Sequence, residues 1–224
     1  AGGGIPASLR ATLNVDRFAL ALKETATGRE YAIDGLKGSA SLDGATGAVA
    51  ARFDGDTNLL GSKGTVSLKA DLTNVKGNVD PAVIGADIAF DAKNVRVPVD
   101  DRTADFGNVA LTVKSPALGQ TVQVTAKADG SLDGTTASSL AADLTLDKMI
   151  GSGGKVATEV AQILAGVKGS VVATKLPTSL AQPALAATDV ILPKDLGSTI
   201  DILEIKAPGG GTAPITVELK APKA

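Results

Sequence analysis

Thr121-Val-Gln-Val-Thr-Ala-Lys-Ala-Asp129 alternates polar and apolar residues without a break. The following stretch, Leu140-Ala-Ala-Asp-Leu-Thr-Leu-Asp147, sets Leu140, Ala142, Leu144 and Leu146 against Ala141, Asp143, Thr145 and Asp147. Successive side chains of a strand point to opposite faces, so such a segment has one dry and one wet face, the mark of an antiparallel sheet. The same alternation runs through Leu9, Ala11, Leu13 and Val15, through Val66, Leu68, Ala70 and Leu72, and through Ala86, Ile88, Phe90 and Ala92. Asp43-Gly44, Asp54-Gly55, Gly107-Asn108, Asp129-Gly130 and Asp133-Gly134 carry turn chemistry and space roughly a dozen strands along an all-β chain. The expected fold is a repetitive antiparallel sheet forming an elongated groove or a sandwich.

The pattern recurs. Phe18-Ala-Leu-Ala-Leu-Lys23 matches Val109-Ala-Leu-Thr-Val-Lys114, and Ser41-Leu-Asp-Gly44 matches Ser131-Leu-Asp-Gly134. Val49-Ala-Ala-Arg-Phe-Asp54 parallels Leu140-Ala-Ala-Asp-Leu-Thr145, and Ile215-Thr-Val-Glu-Leu-Lys220 repeats the opening strand. Recurrence of one supersecondary unit implies that each copy buries its apolar face against neighbours. The expected organisation is a linker over 1–7, a first β repeat over 8–107, a second over 108–213, and a further or closing strand over 214–224. The opening Ala1-Gly-Gly-Gly-Ile-Pro6 lacks the basic start and apolar core of a secretory signal and reads as a linker or trimmed boundary.

One segment departs from period two. Val156, Val160, Ile163 and Leu164 fall at helical spacing before Gly166, which predicts an amphipathic helix over about 154–165 inserted into the second repeat. Its apolar stripe either packs on the sheet or serves as a lid at one end of a trough. It lacks the basic and aromatic anchors of interfacial helices.

Composition excludes many activities. The chain has 224 residues, no Cys and no His, which removes thiol nucleophiles, disulfides, zinc-finger sites and His-based triads. Lys plus Arg number 22 against 24 Asp plus Glu, and aromatics are 2% of residues, so neither a basic patch nor a base-stacking surface is expected. No apolar stretch approaches the roughly 20 residues of a spanning helix.

Local motifs fail on inspection. Gly151-Ser-Gly-Gly-Lys155 lacks the leading Gly of a phosphate loop, and Val156 stands where Ser or Thr would meet magnesium. Asp54-Gly-Asp56-Thr-Asn58 begins like a calcium loop, but Leu59 replaces the required Gly and Thr65 the bidentate Glu, so a polar turn is the better account. Asp100-Asp101 reads as a solvated turn. No catalytic residue, metal site or cofactor is expected, and the protein reads as a non-enzyme.

The dry faces are built from Ala, Val and Leu, with little of the bulky hydrocarbon that fills about 10 Å between packed sheets. They form either a thin alanine-rich sandwich or an open trough holding another apolar molecule. In the trough reading the lining is Leu13, Leu68, Leu72, Ile88, Phe90, Leu111, Val113, Val124, Leu144 and Leu146.

The one-faced strands, the recurring Leu-Asp-Gly turns, the scarcity of aromatics, and the Gly-Gly-Lys-led helix followed by Val167-Lys-Gly-Ser-Val-Val172 together resemble the AsmA/TamB-like envelope proteins over about residues 8–221. That resemblance implies an internal segment of a long β-groove in the bacterial envelope, periplasmic or at the cell surface. It implies sheltering or conducting phospholipid acyl chains, or assisting outer-membrane assembly. The family's N-terminal anchor and full length are missing from these residues. The expected partners are phospholipid or another acyl-chain ligand, and neighbouring repeats or like subunits through sheet edges; nucleic acid is not expected. The alternative function is a structural or adhesive cell-surface protein made of tandem β-sandwiches.

Overall fold

The structure is a computed structural model that describes residues 4–99, 102–132, 134, 136–148, 150, 166–178, 198–209 and 216–220. Eleven strands form one sheet: β1 (Arg10–Lys23), β2 (Glu30–Asp43), β3 (Ala48–Leu59), β4 (Ser62–Thr73), β5 (Gly85–Val99), β6 (Arg102–Ser115), β7 (Thr121–Leu132), β8 (Thr136–Asp147), β9 (Val167–Pro177), β10 (Thr199–Pro208) and β11 (Thr216–Lys220). Spatial order follows chain order from β1 to β11, and neighbouring strands pair antiparallel throughout. The all-β expectation holds in its single-sheet form. Among the described residues β1 and β11 are the edge strands and do not pair with each other, so the sheet is not closed into a barrel, and no second sheet lies on it. Ten inter-strand spacings make it about 48 Å wide.

Cross-strand register explains why the dry faces coincide. Directly opposed residues in an antiparallel pair share a face. One row therefore runs Leu13, Ala40, Ala51, Ala70, Ile88, Val113, Val124, Leu144. The adjacent row runs Val15, Gly38, Phe53, Leu68, Phe90, Leu111, Ala126, Ala142, Val171, Ile205, Val217. A slip of one residue between any two strands would turn half of each row to the other side.

A line of irregularities crosses the sheet. Register shifts occur at Asp16–Arg17 in β1, at Gly35–Leu36 in β2 and at Gly107 in β6. Asn94 in β5 and Lys175 in β9 have positive φ, 51° and 48°. Such bulges bend and coil a sheet locally while keeping it paired. They also reset the alternation. In β1 the apolar face changes from odd residues (Leu13, Val15) to even ones (Phe18, Leu20, Leu22), since Leu20 opposes Ile33 and Leu22 opposes Tyr31.

Three expected turns are corrected by this line. Asp54-Gly55 lies inside β3, Gly107-Asn108 inside β6 and Asp129-Gly130 inside β7. Their glycines serve the crease instead of ending strands. A Cβ on Gly55 would stand 3.1 Å from Leu36 Cδ1, and one on Gly130 would stand 3.1 Å from Phe106 Cδ1. A large apolar side chain thus covers each bare backbone. Asp43-Gly44 is a true turn, with the Asp43 carboxylate accepting from the N–H of Ala45 at 2.9 Å.

A short 3₁₀ turn, Pro81–Val83, joins β4 to β5, capped by Asp80 accepting from Ala82 N–H at 2.9 Å. The sequence copies lie five strands apart, β1 with β6, β2 with β7 and β3 with β8. Five is odd, so the second copy runs through the sheet in the opposite direction. The expected boundary at 107/108 falls at the bulge within β6, where the sheet continues unbroken. The expected helix with Val156, Val160, Ile163 and Leu164 lies outside the described residues, as do Asp100, Asp101 and Gly151–Lys155.

Candidate functional site: an apolar sheet face

The ten residues expected to line a trough all fall on one face. Leu13, Ile88, Val113, Val124 and Leu144 occupy one row; Leu68, Phe90 and Leu111 occupy the next; Leu72, opposed to Val49 and Ala86, and Leu146, opposed to Val122, lie in the row beyond. A fourth row runs Gly55, Val66, Ala92, Val109, Ala128, Leu140, Ala173, Leu203. Four rows, at about 4.8 Å between strands and 6.8 Å between like-facing residues, give an apolar footprint on the order of 1,200 Å².

None of the ten is buried. Leu13 is 59% exposed, Leu68 37% and Leu111 36%, and the other seven are half-buried. Of the buried apolar residues, Ala86, Ala92, Ala104 and Ala173 are small, while Val122, Leu132, Ile200 and Leu203 are larger. Among the described residues one compact cluster is present, Ala173, Ile200 and Leu203 with Leu176, Ile205 and Val217 packed around them, at the β9–β11 end. A soluble monomer rarely leaves more than about 600 Å² of contiguous apolar surface to water. Leu13, Leu68, Leu111 and Leu140 stand exposed on this face, which makes it a candidate contact surface.

Sequence reasoning missed Phe53, Leu36 and Phe106 on this side. Phe53 shares parity with Val49 and Ala51, a signal already in the sequence. Leu36 and Phe106 lie beyond bulges, where parity misleads. Among the described residues, Thr57 is the one with a buried side-chain polar atom that lacks a partner. It is 4% exposed, opposes Ile33 and Gly64, and its Oγ1 has no hydrogen bond.

The opposite face is polar and tied by cross-strand charge. Arg52 Nη2 donates to both carboxylate oxygens of Asp71 at 2.7 Å, and Nη1 donates to the carbonyls of Ala51 and Ala70 at 2.7 and 3.1 Å. That hydrogen bond, followed by the guanidinium charge, holds the Asp71 carboxyl below its ordinary value. Arg17 does the same for Asp34 across β1–β2, at 3.0 Å. Arg96 pairs with Asp105 beside the Asn94 bulge, and this partner raises the Arg96 guanidinium further. A hollow of about 520 Å³ on this side is walled by Lys37, Asp54, Asp56, Asp91 and Lys93 among others. Asp54 and Asp56, expected on a polar turn, are strand residues two apart on one face.

Among the described residues no group of three acidic side chains could hold a metal ion, and no helix is long and apolar enough to cross a membrane. Set against known protein families, curated proteins and solved structures, the chain matches none of them.

Proposed function

We propose that this protein shelters acyl chains on its apolar sheet face, as a non-enzymatic segment of a lipid-conducting β-groove of the AsmA/TamB-like kind in the cell envelope. The observation that supports this most is the register: all eleven strands contribute apolar residues to one continuous face that no described element covers. Each acyl methylene removed from water is worth about 0.8 kcal/mol. A chain of about 16 carbons lying against one side of the sheet buries roughly half its surface, a gain on the order of 6 kcal/mol. The association cost is about 4 kcal/mol or more, so the chain is held weakly and slides. Weak, unspecific contact suits conduction better than storage. The line of bulges curves the sheet and offers a trough wall without requiring a second layer.

The alternative, tandem β-sandwiches in a surface stalk, requires a second sheet over Leu13, Leu68 and Leu111. Mass spectrometry of protein purified without detergent and then denatured tests the proposal. Co-purifying phospholipid or fatty acid is expected. Protein that is lipid-free in repeated preparations, and that ignores a fluorescent fatty acid, would overturn it.

A further inference from the structure

We propose that the apolar face is assembled from equivalent four-strand units, β1–β4 and β5–β8, with the same pattern opening again at β9, and that each unit carries its own acyl-chain seat. The seats rest on the function proposed above; the unit does not. The crease reveals it. Bulges come in facing pairs: Asp16–Arg17 with Gly35–Leu36 in β1 and β2, and Asn94 with Gly107 in β5 and β6. A third pair stands in β9 and β10, where Lys175 and Asp201 are both skipped between Leu176–Ile200 and Thr174–Ile202. The β3–β4 and β7–β8 ladders run across the crease without a shift.

The same side chains recur around each pair. Phe18 opposes Leu36 and Val95 opposes Phe106; Leu36 then covers Gly55 of β3, and Phe106 covers Gly130 of β7. On the polar side Arg17 reaches Asp34 at 3.0 Å, and Arg96 pairs with Asp105. A single offset lays β5 on β9, matching Ala92 to Ala173, Asn94 to Lys175 and Val95 to Leu176. Ala92 and Ala173 are each 4% exposed, and Asn94 and Lys175 both have positive φ. Val95 opposes Phe106 as Leu176 opposes Ile200.

An even step keeps each strand's direction, its apolar side and its place on the crease. The five-strand step of the sequence copies reverses direction, so those copies are not the unit. Repeated units stabilise one another through the flank each shares with the next, so their number can change without changing the fold. Both complete units present large apolar groups to water: Leu13 and Leu68 in the first, Leu111 and Leu140 in the second. Phe53 stands beside Leu68, and Phe90 beside Leu111. Two like surfaces of this kind are two like seats for an acyl chain.

The whole chain and two variants test this. Excising residues 86–166 joins Gly85 to Val167 and sets β9 where β5 stood, with Leu72 opposite Val167, Leu68 opposite Val171 and Val66 opposite Ala173. Duplicating 86–166 in tandem adds one further unit. Both variants should keep a β-sheet circular dichroism spectrum and unfold cooperatively in urea. Solution scattering should find the sheet about 19 Å narrower in the first and about 19 Å wider in the second, four inter-strand spacings each way. A fluorescent fatty acid should saturate at fewer molecules on the shortened chain than on the whole one, and at more on the lengthened chain. Loss of the β-sheet spectrum in either variant overturns the unit. Folded variants with unchanged stoichiometry overturn the seats. Folded variants beside a whole chain that takes up no fatty acid overturn the acyl-chain reading and the seats with it, while the unit stands.

Discussion

Gly64 is pressed against the backbone of Asn94: a Cβ there would stand 2.7 Å from the Asn94 carbonyl oxygen and would strike that of Lys93 as well. Gly64 is buried, opposes Thr57 and meets β5 where Asn94 adopts its positive φ. Backbone cannot step aside as a side-chain tip can. Gly64→Ala should therefore cost about 1–3 kcal/mol, as overpacking does elsewhere. Gly107→Ala, whose nearest atom is 3.9 Å away, should be close to neutral. Urea unfolding of the two variants checks the contrast.

Thr57 carries the opposite expectation. Its hydroxyl is buried beside Ile33 with no partner, so it bears desolvation without return. Thr57→Val keeps the shape and removes the polar atom, and should stabilise the protein by about 1 kcal/mol. A thermal melt of the variant above that of the parent is the expected result.

Acid should weaken the sheet in a defined window. The Asp34 and Asp71 carboxyls lie below their ordinary value because Arg17 and Arg52 hydrogen-bond to them. In the unfolded chain they return to about 3.9. As pH falls below about 4 the unfolded state takes up protons first, and the stability these pairs add is lost as pH drops through the folded values. Between pH 5 and 8 these two groups should contribute no slope. Both pairs are partly exposed, so raised salt should shrink the effect. Unfolding midpoints across pH, in low and high salt, check this.

The face, rather than bulk hydrophobicity, should govern ligand binding. Phe90 and Ala89 are neighbours on opposite sides of β5. Phe90→Asp should reduce binding of a fluorescent fatty acid at least about tenfold, since a charge would sit where the chain lies. Ala89→Asp, placed among Lys69 and Thr112, should leave it unchanged. Fluorescence titration with circular dichroism as a folding check separates the two.

Much of the fold was legible because period two is unambiguous when strands have one dry face. Ten of ten expected lining positions share that face since each sits in an uninterrupted stretch such as Ala86–Ala92. The crease was not legible. Asp54-Gly55 and Asp129-Gly130 carry the chemistry of a turn, and only cross-strand neighbours such as Leu36 and Phe106 reveal that the bare backbone is covered within a continuing strand. In β1 the slip from Val15 to Phe18 was visible in the sequence, but its meaning depends on register with β2. Whether the dry faces meet one another is likewise a property of topology: a meander of sequential hairpins and a Greek-key sandwich can share the same alternation.

A photoactivatable fatty acid, crosslinked to the protein and mapped by peptide mass spectrometry, tests the central claim most directly. Labels are expected on the rows through Leu68, Phe90 and Leu111 and through Ile88, Val113 and Val124, spread over several strands, with little on Lys69, Thr112 or Gln123. Labelling confined to the polar side, or none above that of an unfolded control, would contradict an acyl-binding face.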